Sequence, residues 1–206
     1  MQRFKEVFQD DLSVTRENYF MSVVKAVVIS LLLLISLELS SHHAFSSLFL
    51  LIIVSVIAKF AGFRLVTFKK LTLNHVVYIV CAFLLVIGLD TLYTHIFPVP
   101  TNQEELDMDI QNQTFLVSLL SIAVIPAIAE ELIFRGFILT IMFRKHLFLG
   151  LIISSALFAY AHDSDTLIGY LPYFYAALIF GLVYLKTKRL EVAILAHFLN
   201  NFLSLF

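Results

Sequence analysis

Seven long apolar blocks, at roughly 23–39, 44–61, 75–97, 114–143, 147–162, 169–185 and 190–206, restrict this chain to one environment in which it can fold. Blocks of about 17–25 residues match a hydrocarbon layer about 30 Å thick. Backbone N–H and C=O groups find no water there, so each block has to pair them internally, as a helix. The apolar residues are continuous rather than striped. With 60% of 206 residues hydrophobic and only 14% charged, there is too little polar surface for a soluble domain. The expected fold is therefore all-α: a polytopic transmembrane bundle of about seven crossings over residues 22–206. Residues 1–21 form a polar and aromatic N-terminal segment suited to an interfacial helix. So many polar residues ahead of the first block, with no small-residue cleavage site after it, argue for a retained helix rather than a signal peptide. Cys81 is the single cysteine, so no intrachain disulfide forms. No basic field suited to nucleic acid is present.

Charge placement orients the bundle. Thirteen of the fourteen basic residues fall on alternate sides of the blocks: Arg3, Lys5, Arg16 and Lys25; Lys59, Arg64, Lys69 and Lys70; Arg144 and Lys145; Lys186, Lys188 and Arg189. The linkers 40–43, 98–113 and 163–168 carry none, and 98–113 is acidic through Glu104, Glu105, Asp107 and Asp109. The positive-inside rule then places the N-terminus in the cytoplasm and the C-terminus on the far side.

The remaining basic residue, Arg135, lies inside the fourth block with Glu130 and Glu131. Ionisable groups at this depth are costly, need partners and mark function. Glu131 and Arg135 stand four apart, on one helix face, and suit an ion pair. Glu130 is turned about 100° away and is left for other work. Pro126 removes a helix hydrogen bond just upstream, which can kink or open the helix near the carboxylates. The fifth block ends at His162, and the seventh carries His197 and Asn201 on one face. Counted at about 1.5 Å per residue from the basic helix ends, Glu130 and His162 lie about 21 and 25 Å deep; Arg135, His197 and Asn201 lie about 14, 12 and 18 Å deep. Tilt and side-chain length bring such depths into one layer. The plainer readings are assigned elsewhere. Phe158 is core packing. His42, His43, His75 and His95 are interfacial. Glu38 and Asp90 sit at hydrated block ends, and Lys25 and Lys59 snorkel.

Three motifs, Glu130-Glu131-x-x-x-Arg135, Phe158-x-x-x-His162 and His197-x-x-x-Asn201, occur in order on three blocks. In these the sequence resembles the CAAX-protease and bacteriocin-processing family (CPBP, or Abi) of intramembrane proteases, over roughly residues 114–206. The resemblance implies peptide-bond hydrolysis in the membrane. Glu130 would activate a water with help from His162, His197 and Asn201 would hold the oxyanion, and Glu131 and Arg135 would position and tune Glu130. It also implies a peptide or protein substrate entering from the bilayer or its surface. The setting implied is a bacterial plasma membrane and a role in bacteriocin self-immunity or peptide processing. Where a glycine is common in the family, Lys186-Thr187-Lys188-Arg189 stands here, away from the site. Glu130, His162 and His197 also suit a Zn²⁺ with one open position. No His-Glu-x-x-His motif is present, however, and the metal-free route is preferred. Two rival functions use the same residues: a non-catalytic membrane scaffold or immunity protein, and a transporter with a proton relay. The repeated halves expected of the transporter are missing from the sequence.

Overall fold

The computed structural model describes residues 6–9, 14–67, 69–99 and 110–206. The acidic residues of the 98–113 linker named above, and Arg3 and Lys5, lie outside the described residues. Among those described there is no strand, and seven apolar helices follow one another: α1 (Tyr19–Ser40), α2 (Ala44–Phe60), α3 (Leu73–Ile96), α4 (Phe115–Met142), α5 (Leu147–Tyr160), α6 (Leu171–Thr187, after a 3₁₀ turn Leu167–Tyr170) and α7 (Leu190–Leu203). The apolar blocks thus map one to one onto helices. Lipid-facing surface is plain in the exposure of Phe20, Leu31, Phe60, Leu73 and Leu84, and the chain is an integral membrane protein.

Among the described residues, four helices are long and apolar enough to cross a membrane: α1, α3, α4, and α6 with its lead-in turn. The others are shorter than the blocks suggest. α5 and α7 each have 14 residues, about 21 Å of helix against about 30 Å of hydrocarbon. Both start beside basic residues, at Lys145 and Arg189, and stop short of the opposite end, leaving His162 just past one terminus and Asn201 in the last turn of the other. The N-terminal segment is not a continuous interfacial helix. Residues 14–17 are non-helical, and the Val14 carbonyl accepts from Arg64 N–H at 2.7 Å. Asn18 then caps α1, its side-chain oxygen accepting from Met21 N–H at 2.9 Å.

Packing follows membrane rules, in which small residues let backbones approach and hydroxyls tie helices together. α1 buries Ser22, Ala26, Ser30, Ser36 and Ser40 along one stripe. Ser36 and Ser47 cross-bond α1 to α2: each hydroxyl donates to the other's carbonyl, at 2.9 and 2.6 Å. Replacing both serines with alanine is expected to cost about 1–2 kcal/mol, measurable by denaturant unfolding in detergent. α3 packs on α6 and α7 through Ile79, Val86, Phe180 and Val192. Asp90 departs from its expected role as a hydrated end residue: it is half-buried and accepts a hydrogen bond from the Tyr175 hydroxyl at 2.5 Å, so it joins α3 to α6. Lys188 occupies the left-handed position that ends α6, φ 57°, where glycine is easiest. Its Nζ donates to the carbonyls of Val7 and Gln9 at 3.1 and 2.9 Å, fastening the N-terminal segment to this turn.

Candidate active site

The site is built on α4. This helix opens with one ordinary turn and widens into π-helical turns at Leu119–Val124. It is α-helical over Ile125–Glu131 and π-helical again over Leu132–Met142. Such widened turns re-aim side chains and occur often at functional sites. Pro126 has no N–H to offer the Ile122 carbonyl four residues earlier. Asn201 Nδ2, from α7, donates to that carbonyl at 3.2 Å. The proline therefore does more than bend α4: the carbonyl it leaves is where the seventh helix attaches.

Glu131 and Arg135 form the expected ion pair, 3.0 Å apart and with side chains at most 1% exposed. Arg135 also donates through Nη2 to the Ala177 carbonyl at 2.8 Å, and its guanidinium lies 4.8 Å over the Phe158 ring. The other face of the carboxylate meets α7, with His197 Nδ1 3.1 Å from Glu131 Oε1. The opposite nitrogen of the same ring, Nε2, is 3.8 Å from Glu130 Oε2. His197 thus stands between the two glutamates. Glu130 lines a cavity of about 560 Å³ together with His162, His197 and Asn201. With Phe158, five residues of the three motifs line it, while Glu131 and Arg135 lie behind the wall.

Histidine tautomers follow from the partners. His162 Nδ1 is 2.8 Å from the Phe158 carbonyl oxygen, which only accepts, so Nδ1 carries the proton and neutral His162 turns a bare Nε2 outward. For His197, Nδ1 faces a carboxylate already paired with Arg135, so this nitrogen too is the donor. Glu130 and Glu131 carry two carboxylates against the one guanidinium of Arg135, and buried charge is costly unless compensated. His197 Nε2, 3.8 Å from Glu130 Oε2, is the basic group nearest to that excess.

Sequence reasoning missed much of the support. Phe158 is more than core filling: its ring contacts Arg135, and its centroid is 4.7 Å from that of His162 and 5.7 Å from that of His197. α6 carries no charge facing the site, yet Tyr173 stacks on His162 at 4.3 Å and Phe180 on His197 at 4.9 Å. The signal for this was a stripe of aromatic and small residues, Tyr173, Ala177, Phe180, Gly181 and Tyr184, at helical spacing. Gly181 leaves room for Leu151: a Cβ there would lie 2.4 Å from Leu151 Cδ1, which would have to turn aside, and 3.9 Å from Arg135 Nε. Gly181→Val should force α5 from α6, costing about 1–3 kcal/mol and lowering kcat, as detergent unfolding and cleavage assays would register.

Both nitrogens of His197 face carboxylates, and among the described residues no three His, Cys, Asp or Glu side chains gather as a metal-holding set. Residues 112–203 match the family model described as Rce1-like, Type II CAAX prenyl endopeptidase. No curated protein and no solved structure matches the chain.

Proposed function

We propose, on the match of residues 112–203 to the Rce1-like model of Type II CAAX prenyl endopeptidases, that this chain is an intramembrane endopeptidase in which Glu130 activates the attacking water. The observation that carries the reading is the convergence of Glu130, His162, His197 and Asn201 on one cavity, with a neutralising ion pair behind it.

A water beside Glu130 loses a proton to the carboxylate as its oxygen bonds to the substrate carbonyl carbon. The bare Nε2 of His162 accepts the second hydrogen of that water and orients it. The carbonyl π electrons move to oxygen, giving a tetrahedral oxyanion. Two donors serve it: the second N–H of Asn201, whose first is held by Ile122, and the Nε2–H of His197 in its imidazolium form, which Glu131 at Nδ1 favours. Such preorganised donors in a dry wall stabilise developing charge. The C–N bond then breaks, and the proton held by Glu130 passes to the leaving nitrogen. The products are a carboxylic acid and an amine, and Glu130 is again a carboxylate. Glu131 and Arg135 act through His197, fixing its ring and tautomer. The settings we place this in are bacteriocin self-immunity and peptide processing in a bacterial plasma membrane, on the resemblance of the three motifs.

The direct test is cleavage of a peptide library by the purified chain, with Glu130→Gln in parallel. A scaffold or immunity protein would keep its biological effect in that variant. Chelators should leave the rate within about twofold, because the proposed steps use only protein groups. Loss of cleavage with chelator and recovery on adding Zn²⁺ would overturn the metal-free reading.

A further inference from the structure

The cavity is one-sided in charge. Its lining includes the carboxylates of Glu38 and Glu130 and neither a lysine nor an arginine. The two acids are differently placed. Glu130 is engaged with His197 at the floor. Glu38, from the last turn of α1, is exposed, and its carboxylate has no hydrogen bond or ion pair among the described residues. Other carboxylates of the described helices have partners: Glu131 pairs with Arg135, Glu191 with Arg189 and Asp90 with Tyr175. So does Glu17, ahead of α1, with Lys25.

Its position is fixed. The α1 end is locked to α2 by the Ser36–Ser47 exchange, and Gln113 Nε2 donates to the Ser41 carbonyl at 3.4 Å. The chain next to the lining carries the same sign: the segment 163–168 that leaves His162 holds Asp163 and Asp165 and no Lys or Arg. A cleft lined by one sign of charge between low-dielectric walls focuses its field on the approaching ligand.

We infer that this cavity selects peptides bearing a Lys or Arg side chain near the scissile bond, with Glu38 as the specificity-determining contact. The inference rests on the endopeptidase reading above and deepens it. Glu38 lies outside the matched segment 112–203, so this selectivity belongs to the chain's own N-terminal half.

The test uses the full chain in nanodiscs of neutral lipid, so that the bilayer does not itself concentrate cations. The substrates are N-acetylated, C-amidated peptides differing only by Lys, Gln or Glu, scanned along positions flanking a cleaved bond. For the wild type, kcat/KM should favour the best Lys peptide over its Gln twin about tenfold, and over its Glu twin by more. That preference should weaken at 0.5 M salt, where the screening length falls to about 4 Å. Glu38→Gln should remove most of it while leaving Gln-peptide cleavage within about twofold, and Glu38→Lys should invert it. Equal cleavage of the three peptides, or a Lys preference unchanged in Glu38→Lys, would overturn the inference and leave the endopeptidase standing. No cleavage by the wild type would remove the endopeptidase reading and this inference with it.

Discussion

Glu130→Gln should reduce kcat for peptide cleavage by about 10²–10⁴-fold, the range lost with a general base, while the protein stays folded. The substitution keeps side-chain volume and polarity but removes the ability to take a proton from water. Glu130 is also suited to a clean test, because its buried Oε2 has no hydrogen-bond partner within the described structure. The His197 ring nitrogen beside it is 3.8 Å away. Little folding energy therefore depends on the carboxylate, and the detergent unfolding midpoint should stay within about 2 °C, the shift of well under 1 kcal/mol. Activity within tenfold of wild type would remove Glu130 as the base. Glu131→Gln provides the contrast. It strips Arg135 and His197 of a shared partner, so stability and kcat should fall together.

Arg135→Ala should produce the largest loss of stability, about 3–5 kcal/mol, as expected when one member of a buried ion pair is removed. The guanidinium has three partners at once: Glu131, the Ala177 carbonyl on α6 and the Phe158 ring on α5. Removing it strands Glu131 in an apolar interior and cuts α4 from two neighbours. Arg135→Lys keeps the charge but not the planar fork that reaches Glu131 and Ala177 together, and should fall between. A double variant with Glu131→Gln should be more stable than Arg135→Ala alone, because no uncompensated carboxylate remains. Equal unfolding free energies for Arg135→Ala and wild type would contradict the role given to this residue.

The bundle and the motif residues were legible for one physical reason: hydrocarbon penalises polar groups. Long runs without charge must be helices, and Glu130, Glu131 and Arg135 stand out as exceptions that need partners. What stayed hidden carries no such penalty. The Ala177 carbonyl is backbone, present at every residue. Tyr173, Phe180 and Gly181 have the composition of any membrane helix, so their stacking and spacing roles appear only once α6 is placed. The ends of α5 and α7 were set too far along because hydropathy continues past them: Leu205 and Phe206 are apolar but not helical. Glu38 read as an ordinary terminal charge, since its distance from α4 along the chain concealed that both border one hollow.

Two abbreviated helices also decide how a hydrolase can run inside lipid. With α5 and α7 covering about 21 of about 30 Å, His162 and Asn201 at their far ends lie closer to an aqueous boundary than the middle of a full crossing would. The path that water must travel is shortened by helix length alone. An extended peptide descending only two or three residues below the headgroups would bring its amide to the catalytic layer.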